Sequence, residues 1–357
     1  MTGSEQHIWL RRFAVFAAVN TLLLIGIGGV VTSKGAGMAV PDWPTSYGYN
    51  MFFLPFHFWK GGIFYEHTHR LFASWVGLLT VILAIWLWVK EPRTWLRRLG
   101  WIAVGLVVFQ GLLGGLRVVW FKDYIGIFHA ALAQGFLCVL ASVALFLSGF
   151  WQRLEPRQIP PRLRNWLSVT ALCVFAQLLL GAAMRHQHSG LAVPDFPLAY
   201  GQLYPPTDAE FLHRVNQAHA EVTITPLQIH LHMAHRLGAL GLLMLSGWVT
   251  FGVARASSVG PLVRRGVLSW QLLIWVQAIL GASTVWTGKA ADIATLHVVV
   301  GALVLVTAVL LTLIAHRLAQ PMATGRRDLG VASEPTPAGA ARPLSSQPPL
   351  AGVAPSR

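Results

Sequence analysis

Charge is scarce in this chain. Only 11% of its 357 residues are Asp, Glu, Lys or Arg, where soluble domains run near a quarter, and that excludes a water-soluble globular fold. Acids are scarcer than bases, 13 against 27, for a formal net charge of +14. Cysteine is almost missing: Cys138 and Cys173 are the only two. Both fall inside apolar runs, so they read as small core residues and not as a disulfide framework. The ten-residue alternation of a membrane β-barrel is absent. Arg11-Arg12 leads directly into an apolar run with no small-residue cleavage site, so no cleavable leader is expected.

Long hydrophobic runs are what the chain has. Eight stand out, each about the length that crosses a bilayer: Phe13–Val31, Leu71–Val89, Leu99–Val118, Ile125–Phe150, Trp166–Ala183, Ile229–Val253, Gly266–Trp286 and Ile293–Ala315. Helix is the expected state, because lipid offers no partners for exposed backbone groups. The basic excess first resembles a nucleic-acid signal, but its placement argues against one. Eighteen of the 27 Lys and Arg residues fall on one side of an eight-helix arrangement. That is the signature of membrane topology, and it puts both termini in the cytoplasm of a bacterial plasma membrane.

The chain also repeats itself. Residues 1–150 and 165–317 each carry four spans, joined by a basic, proline-containing cytoplasmic linker at 151–164. An even number of spans gives both copies the same orientation. The expected fold is therefore an all-α integral membrane protein of two tandem four-helix bundles, related by a pseudo-two-fold axis along the membrane normal. Val40-Pro41-Asp42-Trp43-Pro44 recurs as Val193-Pro194-Asp195-Phe196-Pro197, just beyond the first span of each copy. The loops 32–65 and 185–228 lie outside and hold Trp43, Tyr47, Tyr49, Trp59, Tyr200 and Tyr204, rings suited to the headgroup region. Residues 209–221 read as a short interfacial helix. The tail 318–357, rich in Pro, Ala, Gly and Ser, reads as disordered.

Four histidines take matching places in the two copies. His69 pairs with His235 across 166 residues, and His129 with His297 across 168. All open helices that run inward, so they share one depth, about 5–10 Å below the outer surface. A polar side chain in lipid, repeated at one depth, needs a reason. Two imidazoles on facing helices can hold one iron from opposite sides, which points to heme. Zinc would require more nitrogen or sulfur ligands per site. His57, His186, His188, His213, His219 and His230 read as surface residues of the outer loops.

Other residues separate or support the two sites. Gln110-x-x-x-Gly114, Gln177-x-x-x-Gly181 and Gln277-x-x-x-Gly281 recur on the third, fifth and seventh spans. That spacing fits close helix packing, and equally slim helices beside a flat cofactor. Arg70 and Arg236 follow a histidine directly. They either snorkel to water or pair with heme propionates. Glu66 lies three residues before His69, where the second copy has His232. It is either a helix N-terminal acid or a carboxylate that makes the first site catalytic.

Glu66-x-x-His69-Arg70, His129, His235-Arg236, His297 and Pro41-Asp42-Trp43-Pro44, in this order and duplicated, resemble the heme A synthase family over residues 10–317. The resemblance implies an oxidoreductase that turns a methyl group of heme O into the formyl group of heme A for terminal oxidases. It places heme O between His69 and His129 and a resident heme b between His235 and His297. Glu66 would accept a proton or stabilise charge at the methyl carbon. A heme O synthase, an electron acceptor or donor and the lipid bilayer are the implied partners, with oligomerisation open. Some bacterial members carry a cysteine pair in the first outer loop, and this chain has none there. The alternative is a di-heme b-type cytochrome for quinol-linked electron transfer, which four membrane histidines would serve equally well.

Overall fold

The computed structural model describes residues 3–155, 159–218 and 223–319. Among them the elements are helices and short turns, with no strand. Eight helices are long and apolar enough to cross a membrane: α1 (Gly3–Ser33), α2 (Gly61–Lys90), α3 (Thr94–Trp120), α4 (Asp123–Phe146), α6 (Pro161–His186), α8 (Pro226–Arg255), α9 (Pro261–Trp286) and α10 (Ala291–Leu318). Two shorter helices complete the set, α5 (Gly149–Gln152) and α7 (Ala209–Ala218). The chain is a multi-pass helical membrane protein.

Local chemistry sets the helix ends. Pro161, Pro226 and Pro261 occupy the first helical turn of α6, α8 and α9, where a missing N–H costs nothing. Thr225 and Gln228 form a reciprocal capping box at the start of α8. The apolar run expected to continue to Phe150 breaks at Leu147. There Ser148 accepts a hydrogen bond from the Trp151 N–H and starts α5 instead. The α7 helix follows expectation as far as Ala218, with Phe211 and Val215 buried; residues 219–222 lie outside the described residues. So does almost all of the expected disordered tail.

The first four spans close on themselves, α1 against α2 and α4, and α3 against α2 and α4. The last four do the same, α6 against α8 and α10, and α9 against α8 and α10. Between the quartets α1, α4, α6 and α10 meet. Gly29 on α1 admits Thr295 of α10, where a Cβ would stand 3.2 Å from the threonine methyl. Leu78, Ile85, Leu112, Leu172, Leu240, Met244, Leu272 and Ile279 stay exposed along the spans. That surface would be costly in water and is the natural contact with lipid. At the end opposite the long loops, buried Glu91 accepts two hydrogen bonds from the Arg93 guanidinium, at 2.6 and 3.0 Å, and one from the Arg93 backbone N–H at 3.1 Å, while Arg93 also donates to the Phe146 carbonyl at 3.0 Å. This ties the α2–α3 turn to the foot of α4.

Candidate functional site

Each of the four histidines lies against a glycine of the preceding span. A Cβ on Gly28 would stand 3.1 Å from Cε1 of His69, on Gly114 3.2 Å from Cε1 of His129, on Gly181 3.0 Å from Cε1 of His235, and on Gly281 3.1 Å from Cε1 of His297. At each of these four places a Cβ would crowd the imidazole edge, which would have to give by a few tenths of an ångström. The helix pairs are α1 with α2, α3 with α4, α6 with α8 and α9 with α10, so the same contact is built four times. All four rings lie near the end of the bundle that carries the long loops, about 9–14 Å along their helices at the usual rise.

The second pair is close. The His235 and His297 ring centroids are 6.5 Å apart and their planes are 75° from parallel. Two metal–nitrogen bonds of about 2 Å each, with the half-width of an imidazole added at both ends, span about 6 Å, a length comparable to this centroid separation. His69 and His129 lie within electrostatic range of one another but make no ring contact among the described residues. The Nδ1 atoms of His69, His129 and His297 are buried without a hydrogen-bond partner, which is unusual for polar atoms. Among the described residues no group of three or more His, Cys, Asp or Glu side chains converges to hold a metal. Two imidazoles leave the remaining positions around an iron to a macrocycle.

Arg70 and Arg236 do matching work at the loop edge. Arg70 donates to the carbonyls of Asp42 at 2.7 Å, Thr45 at 3.1 Å and Val40 at 2.9 Å. Arg236 donates to the carbonyls of Leu198 at 2.9 Å, Val193 at 3.2 Å and Asp195 at 2.7 Å. Each guanidinium thus grips the Pro-Asp-aromatic-Pro segment of its own loop. The loops are themselves cross-braced. Asp42 accepts from the N–H groups of Tyr47 and Gly48 at 2.7 and 2.9 Å, and Asp195 accepts from those of Tyr200 and Gly201 at 2.6 and 2.9 Å. Tyr47 and Tyr200 adopt positive φ, 52° and 53°, an uncommon backbone that the two aspartates stabilise. Burial alone would raise the aspartate pKa values, but hydrogen bonds to the ionised form outweigh it and hold both below the ordinary carboxylate value.

Glu66 also faces the loop. Its Oε2 accepts from the Val40 N–H at 2.8 Å, and its Oε1 forms an ion pair with Arg70 at 2.8 Å. In the second quartet His232 takes the corresponding place, with Nδ1 3.0 Å from the Ser189 carbonyl. Sequence reasoning missed three features. His186, expected at the surface, is buried, its ring packed on the α4 backbone at Gly126. His67 is buried edge-on to Trp59, with centroids 4.8 Å apart. Gly28 was not singled out because the first span has no glutamine four residues earlier, although its Gly26-Ile27-Gly28-Gly29 run was a usable signal.

Eight spans with four imidazoles resting on glycines near one end define a multi-pass helical membrane protein. Comparison with known proteins makes this specific: residues 11–309 match the family model described as cytochrome oxidase assembly protein (COX15-CtaA), and the chain belongs to that family. It is similar to the heme A synthase of Alkalihalophilus pseudofirmus, with 27% identity over 82% of this chain and 93% of that protein. The heme A synthase of Halalkalibacterium halodurans is 27% identical over 87% of this chain and 98% of its own. That of Shouchella clausii is 30% identical over 58% of this chain and 71% of its own.

Proposed function

We propose that this chain is a heme A synthase, an oxidoreductase that converts a porphyrin methyl group of heme O into the formyl group of heme A for terminal oxidases. The observation that carries this reading is the His235–His297 pair, whose 6.5 Å ring separation suits a shared iron, in a chain whose family and relatives act in oxidase assembly and heme A synthesis. The residues fit the group on three counts: ring spacing, imidazole nitrogens buried without partners, and glycines that leave room for the rings.

His235 and His297 would hold a resident heme b, which when bound relays electrons away from the oxidised carbon. His69 and His129 would flank the substrate heme O. The halves 1–150 and 165–317 carry one site each, as tandem bundles related about the membrane normal. Glu66 is the catalytic candidate of the first site, as proton acceptor or as a negative charge that stabilises cationic character at the methyl carbon. Arg70 and Arg236 serve the sites by fixing the loop over each pair and by placing positive charge at the edge where propionates would lie.

The protein would lie in the bacterial plasma membrane with both termini cytoplasmic and the sites near the outer face. It would take heme O from a heme O synthase and pass electrons to an acceptor. A di-heme cytochrome that carries electrons across the bilayer is less well served, because all four histidines sit at one end. Mass spectrometry of hemes extracted from cells making the protein with a heme O source tests the reading. Formyl or hydroxymethyl products are expected, and unchanged heme O would refute it.

A further inference from the structure

Arg70 and Arg236 adjoin the histidines, yet their donors are spent on the protein itself. Arg70 uses all four terminal N–H groups, on the carbonyls of Asp42, Thr45 and Val40 and on Glu66. Arg236 uses three, on the carbonyls of Leu198, Val193 and Asp195. A guanidinium has five N–H donors and no more. The two carboxylates of a porphyrin must find direct partners elsewhere.

Two other cations stand near the outer edge of the second pair with donors to spare. Arg185 lies on α6 one turn outward of Gly181, the glycine against which His235 rests, and so on the same face. Its Nη2 donates to the Gly29 carbonyl and to Ser33 Oγ of α1, both at 2.7 Å. Its Nε is buried without a partner. Lys289 lies in the turn that joins α9 to α10, midway along the chain between Gly281 and His297. Its φ is 66°, an uncommon backbone for any residue but glycine. The lysine stem runs beside Gly190, where a Cβ would stand 3.7 Å from Cδ. Arg185 lies within electrostatic range of both Lys289 and His297. Among the described residues neither cation forms an ion pair.

Two like charges brought together at the edge of the spans without a carboxylate repel each other. Snorkelling to water explains a lone cation. It does not explain an arginine pinned inward to α1 or a lysine held in left-handed backbone. A dianion relieves the repulsion, and donors already fixed in place lose little freedom on binding it. The first copy has Arg117 within electrostatic range of its histidines. Its places that match Arg185 and Lys289 hold Thr32, four residues after Gly28, and Phe121, eight before His129. Neither carries charge.

Resting on the reading of His235 and His297 as iron ligands, we propose that Arg185 and Lys289 form a carboxylate clamp that takes the two propionates of the resident porphyrin. Arg70 and Arg236 then hold the loops and add charge only. The clamp belongs to the second pair alone, which keeps its porphyrin, and its lack at the first pair suits a porphyrin that must leave.

The test uses full-length His69→Ala protein from heme-deficient cells, so that only the second pair offers two imidazoles. It is titrated with iron protoporphyrin IX and with the dimethyl ester of that porphyrin, read by six-coordinate low-spin absorption. The free acid should bind at least about tenfold more tightly than the ester. Adding Lys289→Gln or Arg185→Gln should lower that preference about tenfold and leave affinity for the ester unchanged. Arg185 also ties α6 to α1, so if Arg185→Gln does not fold, Lys289→Gln decides. Equal affinity for acid and ester with the clamp intact would overturn the proposal, as would equal weakening of both porphyrins by the substitutions. A preference that survives Lys289→Gln while co-purifying anionic phospholipid is lost would assign the cations to lipid headgroups and overturn it too. A six-coordinate spectrum with neither porphyrin refutes the iron-ligand reading itself, whereas one without preference for the acid refutes only the clamp.

Discussion

The ring of His235 fills the space that a side chain on Gly181 would need: a Cβ there would stand 3.0 Å from Cε1. A side chain at Gly181 would therefore press on the imidazole and shift it by a few tenths of an ångström.

Gly181→Ala should therefore uncouple stability from cofactor binding. Alanine favours an α-helix over glycine by about 1 kcal/mol, while overpacking costs about 1–3 kcal/mol. The thermal midpoint of the protein should move little. The heme-to-protein ratio should fall about tenfold, the low end of what displaced metal-site support costs. Equal loss of both would mean that the glycine serves packing only.

Glu66→Gln should abolish turnover while leaving the resident heme spectrum in place. The amide still accepts from the Val40 N–H but loses the charge that pairs with Arg70. Glu66→Ala is the harsher variant. Both members of that ion pair are buried, and stranding one partner of a buried pair costs about 3–5 kcal/mol, so lower yield is expected there. Wild-type heme A production by Glu66→Gln would remove Glu66 from the chemistry.

Acid should loosen the second loop at Asp195. Its pKa is depressed in the folded protein, so its contribution to loop stability is fully present above the unfolded value, near 3.8. The contribution is lost as pH falls through the lower folded value. The protection of the Tyr200 and Gly201 amides against hydrogen exchange, relative to the intrinsic rate at each pH and followed from pH 6 down to about 3, should fall at the acid end. In Asp195→Asn these amides should exchange faster near neutrality and gain little from acidification. An identical pH profile in both proteins would contradict the bracing role.

Arg236→Ala should release the same loop by another route, since it removes hydrogen bonds to three loop carbonyls. Protease sensitivity within residues 192–204 is expected to rise. Arg236→Lys should restore little, because a single ammonium cannot reproduce the planar fork.

Much of this was legible in the sequence. Eight spans, the shared depth of the histidines and the repeated Pro-Asp-aromatic-Pro segment all follow from hydropathy and spacing. Helix starts were not legible. Hydropathy begins the second span at Leu71, yet α2 starts at Gly61, because Glu66, His67, His69 and Arg70 are polar residues that a helix accommodates once each finds a partner or a site. The arginines illustrate a second blind spot. Sequence showed that Arg70 and Arg236 adjoin a histidine, but not that backbone carbonyls of a distant loop would surround them. His186 looked like a loop residue because nothing in the sequence places it against Gly126.

The most direct test is the absorption spectrum of the purified protein beside His235→Ala and His297→Ala. Wild type should carry a six-coordinate, low-spin heme b, and either substitution should abolish that spectrum. Full heme content with the same spectrum in both variants would contradict the central claim.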